Sequence, residues 1–461
     1  MYTEFLSFPR DFAWGTATAS YQIEGAVNED GRGKSIWDTF SHIKGNTADG
    51  ETGDIACDHY RRYQEDVRLM RGLGIKNYRC SIAWPRIIPS GNGASSRCGV
   101  SGNVNQKGLD FYDRLFDGCL ENGITPWVTL FHWDLPQTLQ DKGGFANRDC
   151  AGYFCDYTDK VTSHFGDRIK NWITINEPWV YSFCGHLYGV HAPGVRDTGA
   201  ALSVAHNVLL AHGMSLPIIR KNVPGAKAGI ANNIAWVESA GSRQEDTEAA
   251  KRWDMAFNRW FTDPLFGKGY PEEMVRWYGK NMPGIKDGDF DHIACPMDFL
   301  AVNYYTRRLV AHDETDSHIK AKQVYRPHIQ RQEFEEWENF PEGLYRALVD
   351  IKERYGDIPV YITENGASCH DKISGDGCVH DPARVEYLRR HFAAAWQAIK
   401  DGCDLRGYFV WSLYDNLEWG FGFTKRFGFV YIDRENNLKR IVKDSGHFIA
   451  SVYEKNGFTV D

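Results

Sequence analysis

The sequence of 461 residues predicts a closed barrel of eight parallel strands surrounded by helices, the (β/α)8 or TIM-barrel fold. Two observations favour it. Eight short apolar runs alternate with segments of helical period, and each run is almost continuously hydrophobic, as expected for strands buried on both faces. A doubly wound open sheet is the alternative, but the sequence contains neither a G-x-G-x-x-G turn nor a phosphate-binding P-loop.

These runs and helical segments can be assigned along the chain. The runs predicted as strands cover residues 12–17, 77–82, 125–131, 171–176, 228–232, 298–303, 359–363 and 407–412. Apolar residues at helical spacing lie between them, most clearly at residues 60–73, 109–120 and 385–399. Each of these three segments is followed by a glycine, a common residue at a helix end. The order therefore predicts alternating strands and helices.

The length of the chain predicts long loops on one face of the barrel. A barrel of this kind uses about 250 residues, so the surplus is expected in the loops that follow the strands and form a deep active-site pocket. Residues 312–340 look like one such insertion. No linker divides the chain, and we predict a single catalytic domain over residues 1–461.

The composition excludes several other classes of protein. Hydrophobic residues make up 42% and charged residues 25%, which suits a globular enzyme with a large core. The formal net charge of −8 argues against a nucleic-acid or anionic-membrane surface, since both need clustered basic residues. No H-E-x-x-H, cysteine quartet or acidic calcium loop occurs, so no metal or other cofactor is predicted. A G-x-S-x-G nucleophile elbow is absent, which argues against a serine hydrolase.

The cysteines and the N-terminus predict a cytoplasmic location. Eleven dispersed cysteines without a C-x-x-C pair are typical of reduced thiols, and a disulfide between Cys369 and Cys378 is not favoured. The N-terminus lacks a basic region followed by a long apolar run, so no signal peptide is predicted. We also expect no bilayer-spanning stretch and no membrane partner. A homo-oligomer is compatible with the sequence.

The carboxyl ends of the predicted strands carry polar, ionisable and aromatic residues, at the positions that form the active site of a barrel. They are Arg79, His132, Asn176, Glu177, Asn303, Glu364 and Trp411.

The two glutamates in this set follow the fourth and seventh strands, which face each other across a barrel mouth. A carboxylic acid and a carboxylate about 5–5.5 Å apart can cleave a glycosidic bond with retention of configuration. For either glutamate taken alone, a salt-bridged structural role is the alternative.

Six motifs resemble those of glycoside hydrolase family 1, the β-glucosidase family, in the same order. TINEP (174–178) and ITENG (362–366) resemble its acid/base and nucleophile motifs. The others are FAWGTATASYQIEGA (12–26), YRCSIAWPR (78–86), LFHWDLP (130–136) and NLEW (416–419). The resemblance extends over nearly the whole chain.

The resemblance implies that Glu364 is the nucleophile and Glu177 the acid/base. Arg79 would lie beside Glu364 and lower its pKa. Tyr305 would hydrogen-bond the same carboxylate, and Asn176 would hold the sugar 2-hydroxyl, a contact that strengthens in the transition state.

The resemblance also implies the rest of the substrate pocket. Trp411 would be a platform under the sugar ring, and Trp337 would flank the leaving group. Further binding residues would be Gln22, His132, Asn303, Glu418 and Trp419. Trp179, Cys184 and His186 follow the acid/base, and we expect them to line the leaving-group site together with Trp337.

Glu418 bears on the choice between ordinary and phosphorylated sugars. Relatives that act on 6-phosphorylated sugars resemble this loop but carry a small residue at that position. A carboxylate would repel a phosphate dianion in a poorly screened pocket. Lys425 is close in sequence and is interpreted as a loop residue near the pocket rim.

The leading hypothesis is a retaining exo-β-glucosidase that acts on cellobiose, short cello-oligosaccharides and aryl or alkyl β-glucosides, with β-galactosidase or β-fucosidase side activity. One alternative is an endo-acting β-glycanase on the same barrel, and another is a 6-phospho-β-glucosidase, which Glu418 disfavours. A catalytically silent sugar-binding protein is a third, from a different class, and the presence of both glutamates argues against it.

Overall fold

Eight parallel strands close into a barrel in a computed structural model that describes residues 4–91, 103–332 and 337–460. Each strand pairs with the next along the chain, and the last pairs with the first. The predicted fold is confirmed, and all eight predicted strands are present. They are β1 (Ala13–Ala17), β2 (Asn77–Ser81), β3 (Thr125–Phe131), β4 (Asn171–Asn176), β5 (Lys227–Asn233), β6 (Phe299–Asn303), β7 (Val360–Asn365) and β8 (Leu405–Trp411).

A long helix follows each strand and covers the outside of the barrel, including the three helices predicted from apolar periodicity. The eight are α1 (His59–Gly72), α2 (Gln106–Glu121), α3 (Asp149–Phe165), α4 (Thr198–Asn222), α5 (Gln244–Asp254), α6 (Pro341–Tyr355), α7 (Pro382–Lys400) and α8 (Asp444–Lys455).

Shorter elements decorate this frame. Short α-helices are Ser20–Ile23, Ile36–Ser41, Trp84–Ile87, Gln137–Gln140, Trp260–Thr262, Glu272–Tyr278 and Asp289–Ile293. Turns of 3-10 helix are Ala48–Gly50, Gly144–Ala146, Asp263–Phe266, Gly279–Asn281 and Trp419–Phe421, and π-helical turns are Val180–Cys184 and Met255–Arg259. Strand Glu4–Ser7 pairs with Gly457–Val460, and Val430–Asp433 pairs with Lys439–Val442, both antiparallel.

Aromatic side chains fill the interior of the barrel below its mouth. The indole of Trp127 packs edge-on against Phe299 and Phe409, with ring centroids 5.7 and 5.2 Å apart. All three residues are buried, in the same cluster as Trp411. The barrel is therefore a filled core, and any open volume lies at the carboxyl ends of the strands.

The insertion predicted at residues 312–340 is present between β6 and α6, but it begins earlier and contains strands. Arg308–His312 pairs antiparallel with Ala321–Val324 and parallel with Val237–Ser239 to form a small outer sheet. The prediction missed the first strand because its apolar run is short.

Helix α4 corrects the prediction that no apolar stretch is long enough to span a bilayer. It has 25 residues, and its most apolar window has a mean hydropathy of 1.4. However, 78% of that window is buried inside the protein, which is the behaviour of a core helix.

Candidate active site

A cavity of about 570 Å³ opens at the carboxyl ends of the barrel strands. Trp179 and Cys184, expected beside the acid/base, line it, as do nine of the twelve residues predicted for catalysis and substrate binding: His132, Glu177, Asn303, Tyr305, Trp337, Glu364, Trp411, Glu418 and Trp419. The other three, Gln22, Arg79 and Asn176, are buried directly behind the lining and hydrogen-bond to residues that line the cavity.

Glu364 lies near the carboxyl end of β7, and its carboxylate is hydrogen-bonded by a guanidinium and a phenol. Arg79 Nη1 donates to its Oε1 at 2.6 Å, and the Tyr305 hydroxyl donates to its Oε2 at 2.7 Å. Arg79 extends from β2 to Glu364, and the Nη2 atom of Arg79 donates to Asn176 Oδ1 at 2.6 Å. Both carboxylate oxygens are thus fixed in orientation, one by Arg79 on β2 and the other by Tyr305, which follows β6.

Glu177 follows β4 in a strained backbone conformation. Its φ of 44° lies in the left-handed region, which costs a non-glycine residue about 1–3 kcal/mol and is found most often at functional sites. Its amide donates to Ala231 O at 2.7 Å on the next strand, which holds the turn. The side chain is 6% exposed and accepts from Asn303 Nδ2 at 2.9 Å.

The two glutamates differ in proton affinity. Burial raises the pKa of Glu177 well above 4.5, and the nearby charge of Glu364 raises it further. Burial also raises the pKa of Glu364, but the charge of Arg79 and hydrogen bonds from Tyr305, Arg79 and Asn303 oppose that rise. Glu177 therefore holds the proton of the pair at rest.

The charge of Arg79 acts on Glu364 in the expected direction but does not determine the net shift of its pKa. We expected the guanidinium of Arg79 to lower the pKa of Glu364. Its influence has that sign, yet the net pKa of Glu364 is raised, because complete burial outweighs the ion pair.

His132 is neutral and oriented by an amide. Asn176 Nδ2 lies 3.0 Å from His132 Nε2, so that this nitrogen accepts and Nδ1 carries the proton. Burial lowers the pKa of His132 well below 6.5, and the charge of Arg79 lowers it further. The buried Nδ1 has no protein partner among the described residues, which leaves a donor for a ligand.

Gln22 and Glu418 form the polar end of the pocket. Gln22 Nε2 donates to Asn416 Oδ1 and to Leu417 O, both at 2.9 Å, and lies 3.5 Å from Glu418 Oε2. Its Oε1 is buried without a protein partner among the described residues. Burial and the charge of Glu364 raise the pKa of Glu418 to about 8.

Tryptophans enclose the same end of the cavity. The Trp411 ring stacks with His132 at 5.9 Å, and Trp419 packs against Trp133 at 4.6 Å. Trp133 and Trp419 also have positive φ values of 75° and 49°. Together with the residues around Glu177 and Glu364, these side chains form what we call the inner pocket: Gln22, Arg79, His132, Trp133, Asn176, Asn303, Tyr305, Trp411, Glu418 and Trp419.

The outward part of the cavity, which we call the outer funnel, is mainly apolar. Its Trp337 ring lies 4.8 Å from the ring of Tyr305 and so borders the inner pocket. Most of its members are half-buried or exposed. It consists of Trp179, Val180, Cys184, Tyr188, Val190, Trp253, Phe257, Tyr325, Trp337 and Phe421.

Two other predicted positions do not line the cavity. His186 is 1% exposed, and its Nδ1 lies 3.2 Å from Tyr181 O, so it is a core histidine. Lys425 lies over the Phe421 ring, with its Nζ 5.9 Å from the centroid, outside the lining. The position of Lys425 outside the lining agrees with its interpretation as a loop residue near the pocket rim.

Several lining residues were not identified from the sequence. Trp133 directly follows His132, and its Nε1 donates to Asn176 O at 2.8 Å, so the motif contained the signal. Gln323 and Tyr325 lie in the insertion whose presence was predicted. Trp253 and Phe257 come from α5 and the π-helical turn after it, where no motif marks them.

The described residues contain neither a disulfide nor a cluster of side chains suited to a metal ion. The ten cysteines within the described residues are free thiols, including Cys369 and Cys378. In the same ranges, no group of three or more His, Cys, Asp or Glu side chains is arranged to hold a metal ion.

This arrangement defines the class of protein. One protonated and one arginine-bound carboxyl group face a common cavity at the mouth of an α/β barrel, both within reach of the Asn303 amide. Donors, acceptors and indole rings surround them, as the hydroxyls and C–H faces of a sugar require. Such a site is that of a glycoside hydrolase.

Comparisons with known proteins identify the family. The model of glycosyl hydrolase family 1 matches residues 5–458. Beta-glucosidase A of Thermotoga maritima is 48% identical over 452 residues, 98% of each chain, and that of Acetivibrio thermocellus is 44% identical over 458 residues, 98% of this chain and 99% of its own. The chain belongs to glycosyl hydrolase family 1.

Solved structures agree with this assignment. The family 1 β-glucosidase from Thermotoga maritima superposes with a TM-score of 0.94 at 47% identity, covering 99% of each chain. Its complex with glucoimidazole superposes with a TM-score of 0.93, covering 98% of this chain and all of that one. The predicted class, a retaining glycosidase of the β-glucosidase type, is confirmed.

Proposed function

We propose that the protein is an exo-acting β-glucosidase that releases terminal β-D-glucosyl residues by double displacement, with Glu364 as nucleophile and Glu177 as acid/base. The observation that carries this proposal is the unequal pair of buried glutamates facing one cavity. Glu364 is the better anion because Arg79 and Tyr305 donate to it, and Glu177 is the better proton donor.

In the first step, Glu364 attacks the anomeric carbon while Glu177 gives its proton to the leaving oxygen. Arg79 opposes the rise in the pKa of Glu364 that burial causes and directs one of its oxygens, and Tyr305 directs the other. Asn176 lies next to both groups and is proposed to contact the sugar 2-hydroxyl, where a hydrogen bond strengthens as positive charge develops on the ring.

In the second step, Glu177 removes a proton from water, which attacks the glycosyl–enzyme bond. Bonding of Glu364 to carbon removes its negative charge, and that charge is one cause of the raised pKa of Glu177. The pKa of Glu177 therefore falls when the intermediate forms, and the same carboxyl can act first as acid and then as base.

The inner pocket supports exo action on unphosphorylated sugars. Gln22, Trp411 and Trp419 are each less than 5% exposed and close the cavity beyond the two glutamates, so a chain continuing past the bound sugar has no path. Glu418 offers a carboxyl group to sugar hydroxyls, and whether protonated or ionised it supplies no positive charge to balance a phosphate dianion. These features disfavour the endo-glycanase and 6-phosphoglucosidase alternatives.

The proposal extends to substrates and context. We propose cellobiose, short cello-oligosaccharides and aryl or alkyl β-glucosides as substrates, with β-galactosidase and β-fucosidase side activity. The relatives include a 1,4-beta-D-glucan glucohydrolase of Thermotoga neapolitana at 47% identity. A single catalytic domain, action without a cofactor, a cytoplasmic location and the absence of nucleic-acid and membrane partners stay predictions, as does a homo-oligomer.

Covalent labelling tests this assignment. A 2-deoxy-2-fluoro-β-glucoside with a good leaving group slows both steps and should trap a glucosyl ester on Glu364, found by peptide mass spectrometry after inactivation. Substrate present during the reaction should protect the enzyme. Labelling of another residue, or no labelling with the enzyme still active on aryl β-glucosides, would contradict the assigned roles.

A further inference from the structure

One side of the outer funnel remains apolar up to the protein surface. Three of the large hydrophobic side chains that are exposed on this protein line the same cavity as the two glutamates. Tyr188 is 40% exposed, Val190 54% and Phe421 45%. Exposed apolar side chains clustered around the mouth of a site, rather than scattered singly, indicate an apolar ligand.

These three side chains lie on loops fixed by backbone hydrogen bonds. After the π-helical turn that follows Glu177, Tyr188 N donates to Phe183 O at 2.8 Å and Val190 N donates to Cys184 O at 3.0 Å. Phe421 N donates to Glu418 O at 2.9 Å, in the loop that also forms the end of the inner pocket. The apolar rim is therefore built into the loops after β4 and β8.

A small side branch, lined mostly by apolar side chains together with Asp316 and His318, opens beside the rim. This side cavity of about 60 Å³ shares Trp179, Tyr188, Trp253 and Phe257 with the main cavity. Burial lowers the pKa of His318, at its far side, to about 4, so this ring is uncharged at neutral pH. The branch adds apolar surface next to the exposed rim.

Polar groups in the outward part of the cavity come from a different set of elements. Asn233 ends β5, Thr306 follows β6, and Arg308 and Gln323, which hydrogen-bond to each other, lie on the outer sheet. A second or third sugar has hydroxyl groups around its whole edge, and those turned toward Tyr188, Val190 and Phe421 would lose water without gaining a partner. An alkyl chain has no hydroxyl groups and therefore loses no hydrogen bonds to water at this rim.

We propose that the preferred leaving groups are apolar alcohols with an extended chain of about six or more carbons, and that Tyr188, Val190 and Phe421 determine this specificity. The inference rests on the proposed β-glucosidase activity and names the substrate class within it. The glucosyl unit occupies the inner pocket, and the chain runs outward along the rim.

The test is a comparison of two substrate series by glucose release. One is methyl, butyl, hexyl and octyl β-D-glucoside below micelle-forming concentrations, and the other is cellobiose, cellotriose and cellotetraose. Full burial of a methylene would raise kcat/KM about fourfold, and since the rim stays partly exposed we expect about twofold per carbon from butyl to octyl. The cello-oligosaccharide series should stay flat within about twofold, since its added sugars meet an apolar rim.

Three substitutions assign the effect to the rim. Val190→Ser and Phe421→Ser should each reduce the gain per carbon relative to methyl β-glucoside measured on the same variant, and Val190→Ile should preserve the gain. Ile285→Ser is the matched control, because Ile285 is also exposed, at 37%, but does not line the cavity. It should leave both series unchanged.

The outcomes separate the two proposals. If methyl β-glucoside and cellobiose are hydrolysed but the alkyl series is flat, or if the cello-oligosaccharide series rises as steeply, the rim inference is overturned and the proposed function stands. If neither aryl, alkyl nor cello-oligomeric β-glucosides are hydrolysed, both fail. A rising alkyl series that is unaffected by Val190→Ser and Phe421→Ser would overturn the assignment to these residues.

Discussion

The inner pocket and the outer funnel lie in one cavity but are built from opposite kinds of side chain. In the inner pocket, Arg79, Asn176 and Asn303 link the two glutamates through charged and neutral hydrogen bonds of 2.6–3.0 Å. In the outer funnel, aromatic and aliphatic groups dominate, and several remain open to solvent. The difference separates catalysis from recognition of the leaving group.

Because the two regions are built so differently, we expect substitutions in them to have effects of different size. Loss of one partner from a buried hydrogen-bonded network leaves the other groups unsatisfied, so effects should be large and non-additive. Loss of an exposed apolar contact removes only its buried area, so effects should be small and graded. Four substitutions in and beside the inner pocket, with Phe421→Ser of the outer funnel as one control, test this contrast from the largest expected effect to the smallest.

Glu364→Ala should have the largest effect. Loss of the nucleophile should lower kcat on aryl β-glucosides by at least about 10⁴-fold. Azide should restore part of the rate on an activated substrate, and because it replaces the nucleophile, the product should be the α-glucosyl azide, identified by NMR. A β-glucosyl azide, or an unaffected rate, would show that Glu364 has another role.

Glu177→Ala should give a smaller loss that depends on the leaving group. General acid catalysis contributes about 10²–10⁴-fold, so alkyl β-glucosides and cellobiose should slow by that amount. Formation of the intermediate from dinitrophenyl β-glucoside, whose leaving group needs no proton, should slow little in a pre-steady-state measurement. Equal losses on both substrates would contradict the role of acid.

Gly366→Ala tests whether a close backbone contact holds the inner pocket in shape. A Cβ at Gly366 would lie 1.8 Å from Trp411 O, so β7 and β8 would have to separate next to Glu364. We expect about 3 kcal/mol of destabilisation in urea unfolding, together with loss of activity. Gly375→Ala, in the same loop with no atom within 4 Å of the added Cβ, is the matched control and should be nearly neutral. Equal stability of the two variants would show that the contact is not tight.

Glu418→Gln should show that the polar end of the pocket costs stability at alkaline pH. The folded protein holds a proton on Glu418 up to a pKa of about 8, while the unfolded chain releases it near 4.5. The free energy of unfolding therefore falls as pH rises between these values, and this fall is absent in the variant.

Because Glu418 remains partly reached by solvent, we expect the variant to be more stable by about 1–3 kcal/mol at about pH 8 to 9 and equal to the parent near pH 4. Thermal or urea unfolding at both pH values measures this. Phe421→Ser, in the same loop without a titratable group, should show no such pH dependence. A difference that does not vary with pH would mean that Glu418 does not titrate as described.

The contrast also separates what the sequence could predict from what it could not. Strand ends and motifs located Glu177, Glu364 and Arg79, because local pattern determines where a barrel strand ends. The net rise in the pKa of Glu364 was missed, since desolvation depends on every element packed around it. Phe257 was missed for a similar reason, because a helix from another part of the chain brings it into the cavity.

The pairing of Glu4–Ser7 with Gly457–Val460 has a mechanical consequence. The strands are antiparallel, with Glu4 opposite Val460, so residues 4 and 460 lie side by side at the same end of the ladder. Force applied at these two positions would open the hydrogen bonds one rung at a time rather than shear them together. Single-molecule stretching between residues 4 and 460 should therefore show an early rupture at low force, as this two-stranded sheet separates, before the barrel unfolds.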